Sequence, residues 1–157
     1  MFFTRIYDQE VLDRINFLHT VKLFEGITKK ELIYLLENLQ ERKYLKGETI
    51  FAQNDIGRAL FIVYKGKIGL YRREKDQEKN DLLSEVQPGE FFGEMALLEE
   101  MPRTATAVAE EDTLVFMLFK TKLESIIFSK SKIGSSIVYH LSKILSARLR
   151  SYLEKDN

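Results

Sequence analysis

ALFIVY at residues 59–64 and KIGLYR at 67–72 are two runs rich in β-branched and aromatic residues, joined across Lys65-Gly66. Two such runs broken by a glycine read as consecutive strands. Working outward, runs of the same character recur at Arg42–Leu45, Thr49–Ala52, Leu82–Gln87, Ala105–Ala109 and Thr113–Phe119. Gly47, Asn54-Asp55, Gly57, Asn80-Asp81 and Pro88-Gly89 punctuate them. Many short strands with regular turn signals predict a β-barrel or jelly-roll sandwich. The wholly polar stretch from Arg73 to Asp81 reads as a solvated hairpin tip.

Both flanks carry a helical period. Ile6, Leu12, Ile15 and Leu18 fall on roughly one face of a first helix, with Val11 beside it. Thr28 with Glu31 three residues on forms a capping box that starts a second helix, whose apolar face is Leu32, Ile33, Leu35, Leu36 and Leu39. Between them Val21, Leu23, Phe24 and Ile27 predict a tight turn around Gly26. After Phe119, Lys120–Phe128 reads as a short helix and Ser131–Lys155 as a long one. On the long helix Val138, Leu141, Leu145, Leu149 and Tyr152 form a heptad-like stripe, suited to an intramolecular core or to a homodimer seam. The expected fold is mixed and mainly β: an eight-stranded jelly-roll β-roll flanked by N-terminal helices and a long C-terminal helix. One domain spans residues 1–157, with helices in 1–40, the β-roll in 41–119 and helices in 120–157.

Composition narrows the function. The 157 residues are 45% hydrophobic and 31% charged, as in globular domains. The 24 basic and 24 acidic residues cancel, so the total charge carries no footprint for nucleic acid or anionic membrane. With no cysteine, disulfides, thiolate zinc sites and iron–sulfur clusters are excluded. The N-terminus is charged by Arg5, and no apolar run approaches the roughly 18 residues of a membrane span, so a soluble, cytoplasmic protein is expected. His19 and His140 are isolated and lack ligand spacing, so neither a metal site nor a catalytic residue is expected, and the chain does not read as an enzyme.

The chemistry concentrates in residues 91–108: FFGEMALL at 91–98, then PRTATAV at 102–108. Gly93 lets a backbone come close. Glu94 supplies a carboxylate directly after it, a short apolar turn follows, and Arg103 starts a strand. This layout suits a small ligand with a hydroxyl to donate and a compact anion to be gripped, as in a cyclic nucleotide.

These residues carry a family resemblance. F-G-E-x-A-L-L at 92–98 followed by P-R-T-A-T at 102–106 resembles the phosphate-binding cassette of cyclic nucleotide-binding domains, as in cAMP-dependent protein kinase regulatory subunits and the bacterial catabolite activator protein. LFEGI at 23–27 with Glu31-Leu32, KGETIF at 46–51 and LFIVYKGK at 60–67 resemble other parts of that domain, and the likeness covers about residues 15–153. It implies a ligand site made of Phe92, Gly93, Glu94, Met95, Ala96, Arg103, Thr104, Ala105 and Tyr152. By that likeness Glu94 accepts from the ribose 2′-hydroxyl, Ala96 brings its amide to the phosphate, and Arg103 pairs with the phosphate as a planar fork. Thr104 serves either base, and Tyr152 lies where the long helix covers a purine. No other cofactor is implied.

The functional expectation is a stand-alone regulatory module that favours cAMP over cGMP. It signals through movement of its C-terminal helix to an effector protein that the sequence does not identify. The alternative is an interaction domain that keeps the fold and binds no ligand. Thr106 reads as an ordinary strand residue, and the Arg103 guanidinium is expected to support no core contact.

Overall fold

The computed structural model describes residues 8–155. They fall into two compact units: a β-rich one, Asn38–Ile126, and a helical one formed by the chain up to Glu37 and from Ile127 onward.

The β-rich unit consists of β1 (Gln40–Tyr44), β2 (Thr49–Phe51), β3 (Ala59–Lys65), β4 (Ile68–Arg72), β5 (Asp81–Val86), β6 (Phe91–Phe92), β7 (Thr106–Ala109) and β8 (Thr113–Phe119), followed by α3 (Lys120–Ser129), which crosses into the helical unit. They form two antiparallel sheets in the orders β1-β8-β3-β6 and β2-β7-β4-β5. This is the expected mainly β architecture. Alternation places Phe61, Val63, Val115 and Met117 of the first sheet in one core with Ile68, Ala107 and Ala109 of the second. On β3 the other parity is buried as well, with Leu60 and Ile62 fully inaccessible. A strand buried on both faces loses its alternation, which is why ALFIVY reads as an unbroken apolar run. The shortest strand, β6, is only two residues long and pairs Phe92 with Phe61 and Phe91 with Ile62. The polar stretch after β4 is the β4–β5 connection, as read from composition.

In the helical unit are α1 (Gln9–Leu18), α2 (Lys29–Glu37) and α4 (Ser131–Lys155). The capping box forms as expected: Glu31 N–H donates to Thr28 Oγ1 at 3.2 Å, and Thr28 N–H donates to Glu31 Oε1 at 3.1 Å. Four described side chains depart from the predicted faces. On α1 the buried positions are Ile15 and Leu18, and Leu12 is 41% exposed. Ile6 lies outside the described residues. Leu39 falls beyond the end of α2. On α4 the buried line is Ile133, Ile137 and Leu141, four residues apart, whereas Leu149 and Tyr152 are exposed. Gly134 permits the close crossing of α4 over the preceding helix, since a Cβ there would lie 2.6 Å from Ile127 Cα. No helix among the described residues is long and apolar enough to cross a membrane.

Candidate functional site

The predicted site residues other than Tyr152 lie together in the connection from β6 to β7. Phe92 is buried and stacks on Phe61 with centroids 5.1 Å apart, which anchors the entry. Gly93 then takes a left-handed conformation, φ 73°, that suits glycine. The reversal starts a single 3₁₀ turn, Glu94–Leu97, in which Ala96 N–H donates to Gly93 O at 3.2 Å. Ala96 and Leu97 face inward while Met95 is 60% exposed, so the turn is pinned by one side. Glu94 is buried, an unusual place for a carboxylate in a loop.

Arg103 is half-buried and its guanidinium has a seat. Nη2 donates to Ala59 O at 2.7 Å and Nη1 to Gly93 O at 3.3 Å. Cζ stands 4.2 Å from the centroid of the Phe51 ring and 5.6 Å from that of Phe61. This corrects the expectation that no core contact depends on the guanidinium, because both rings belong to or pack against the roll's core. Burial pulls its pKa below the usual value, and the charge of Asp55 opposes that shift. An arginine stays cationic through shifts of this kind. Its Nε–H and the second hydrogen on each terminal nitrogen make no hydrogen bond among the described residues. The result is a cation gripped from behind with part of its donor fork available.

The arginine's backbone is fixed too. Arg103 N–H donates to Asp55 O at 2.6 Å, Asn54 N–H to Arg103 O at 2.8 Å, and Gly57 N–H to Met101 O at 2.9 Å. The loop from Asn54 to Gly57 thus zips against residues 101–103. Thr104 is exposed, and its carbonyl accepts from Arg72 Nε at 3.2 Å. Ala105 is buried. Thr106 is structural, as read from the sequence: its Oγ1 accepts from Gln53 N–H at 2.8 Å. Tyr152 belongs to the helical unit, on the last turns of α4, with 64% of its surface exposed.

Sequence reading missed the arginine's seat. In the sequence Phe51 and Phe61 read as strand residues, and Asp55 and Gly57 as turn signals. The ring contacts, the charge and the open backbone that hold Arg103 come from segments about fifty residues earlier. No local pattern marks that pairing.

Residues 41–130 match the family model described as "Cyclic nucleotide-binding domain". The chain is 38% identical over 128 residues to the cyclic AMP receptor protein of Thermus thermophilus, covering 82% of this chain and 57% of the relative. It is 30% identical over 103 residues to human cGMP-dependent protein kinase 2, covering 66% of this chain and 14% of the kinase. The crystal structure of the Thermus thermophilus catabolite activator protein superposes with a TM-score of 0.77, covering 86% of this chain and 62% of that one. The chain therefore spans little more than half of the bacterial regulator and a small part of the kinase.

Proposed function

Since the chain belongs to the cyclic nucleotide-binding domain family, we propose that it is a regulatory module that binds a 3′,5′-cyclic nucleotide, cAMP in preference to cGMP, and acts on a partner protein through α4. The observation that carries this reading is the seated Arg103 with part of its fork unused. A planar fork matches a phosphate better than an ammonium does, and a half-desolvated one binds it more strongly than a surface arginine. The neighbouring Glu94 supplies a buried acceptor for the ribose 2′-hydroxyl, and the open backbone at Gly93 admits the sugar. Backbone amides at the start of the Glu94–Leu97 turn add donors for the exocyclic oxygens, and Ala96 N–H reaches one by sharing its bond to Gly93 O.

Base choice rests on less. Thr104 offers a hydroxyl that either purine can use. Tyr152 offers a ring that stacks on any purine, and stacking contributes about 1–3 kcal/mol per base. The preference for cAMP is read from the lid sequence, in which no acidic group apart from Glu154 is evident to read guanine. The stripe of α4 that ends in Leu149 and Tyr152 is free to serve as this lid, as the contact with the effector, or as the seam of a homodimer. A single domain working in the cytoplasm is consistent with all of these.

The competing reading is a ligand-free interaction domain. The intact Gly93, Glu94 and Arg103 speak against it, because a member freed from binding should lose one of the three first. Calorimetric titration with cAMP and with cGMP separates the two. The module reading expects saturable heat with both and tighter binding of cAMP. No heat with either nucleotide favours the interaction domain, and a tenfold preference for cGMP reverses the base assignment while leaving the phosphate site standing.

A further inference from the structure

We propose that Gly57 is a positioning residue for Arg103: its missing side chain is the space in which the guanidinium sits. A Cβ built at Gly57 would lie 2.8 Å from both Cζ and Nε of Arg103 and 3.0 Å from Nη1. Contacts this short are essentially never made by a real Cβ, so a side chain at this position obliges the guanidinium, the flexible end of its chain, to shift from its seat. Arg103 supplies all three of those nearest contacts, and Gly57 is buried.

Backbone geometry does not account for the glycine. Gly57 is absent from the residues with positive φ, whereas Gly93 at φ 73° would be strained by any side chain. The one backbone hydrogen bond of Gly57, N–H to Met101 O at 2.9 Å, survives replacement by alanine. Gly93 also borders the guanidinium, its Cβ position being 2.6 Å from Nη1, but there the backbone and the arginine both demand glycine. Gly57 is the position at which the two demands separate. Displacing the guanidinium would break its bonds to Ala59 O and Gly93 O and lift it from Phe51, so the donors left over would no longer point where a phosphate is held.

This inference rests on the reading of Arg103 as the phosphate ligand, and its test has one arm that does not. In the ligand-free protein the Nε–H resonance of Arg103 is expected to be shifted by the ring current of Phe51, and its loss in Arg103→Ala assigns it. Gly57→Ala should return it to the ordinary arginine position, and an unmoved resonance overturns the proposal. The second arm is a double-mutant cycle read by cAMP titration and by thermal melting. Gly57→Ala should weaken binding roughly tenfold or more, up to the loss seen with Arg103→Ala. In the Arg103→Ala background it should leave affinity unchanged and should not lower the melting temperature, because the atom it strikes is gone and Gly→Ala by itself only restricts the unfolded chain. Wild-type affinity in Gly57→Ala, or a loss that persists without the guanidinium, overturns the proposal. If Arg103→Ala itself binds like wild type, the phosphate reading fails, and the resonance alone decides whether Gly57 positions the arginine.

Discussion

Arg103 and Tyr152 occupy opposite physical conditions. The arginine is held by two carbonyls and two rings, in a loop zipped to its neighbour by three backbone hydrogen bonds. The tyrosine stands on the half of α4 beyond Leu141, where no side chain is buried. Ordering a long side chain costs up to about 2 kcal/mol of rotamer entropy. At Arg103 folding has already met that cost, so a phosphate bound there, as proposed, would gain the contact nearly in full. At Tyr152 the cost is still outstanding and must be met when something covers it. On the proposed reading the β-rich unit supplies the affinity, and the exposed distal half of α4 is the bistable element that responds.

The sharpest way to break this contrast is Arg103→Ala. Truncating one partner of a buried charge pair costs ~2–5 kcal/mol, so affinity for a cyclic nucleotide should fall roughly 30- to several-thousand-fold by calorimetry. Melting temperature should fall as well, since the carbonyls of Ala59 and Gly93 lose their donor. Binding at wild-type strength would remove the phosphate site.

Glu94→Ala comes next. A hydrogen bond to a charged group is worth about 1.5–3 kcal/mol, so affinity for cAMP should drop about 10- to 150-fold. The loss for 2′-deoxy-cAMP should be much smaller, because that ligand has no hydroxyl to donate. Equal affinity of the wild-type protein for cAMP and its 2′-deoxy analogue would show that the carboxylate does not read the sugar.

Tyr152→Ala tests the other side of the comparison. If the ring covers the base, affinity should fall by the about 1–3 kcal/mol of a stacking contact, with little change in melting temperature because the side chain is exposed. A change in melting temperature without a change in affinity would instead assign the residue to a core or a dimer.

The same contrast governs what could be read from the chain. Local signals carried far: the capping box at Thr28 and Glu31, the glycine turns, and the compact pattern around Gly93 and Arg103 are each written within a few residues. Signals failed where partners are remote in sequence. Phe51 and Gly57 matter through Arg103, yet nothing near them names it. On α4 the heptad-like stripe picked out Leu141 but overlooked Ile133 and Ile137, because a helix buried by half its length shows two faces superposed in one pattern. β6 carries no strand signal in the sequence, since two residues are too few to show a period.

The smallest expected effect falls outside the proposed site, at the start of α2. Thr28 Oγ1 accepts from Glu31 N–H, and the Glu31 carboxylate accepts from both the N–H and the hydroxyl of Thr28. Those bonds, the backbone one first, hold the Glu31 pKa below its usual value. A group with a depressed folded-state pKa stabilises the protein above its unfolded value, and that contribution disappears as pH falls through the folded one. Thr28→Ala should therefore destabilise the protein by about 1 kcal/mol near neutrality, the ordinary worth of an N-cap. The difference from wild type should shrink in acid, below the carboxylate range, as Glu31 takes up its proton. Cyclic nucleotide affinity should stay unchanged, since neither Thr28 nor Glu31 belongs to the proposed site. Melting curves of both proteins across that pH range provide the check. A gap that widened in acid would mean that Glu31 is not the group whose charge the cap holds.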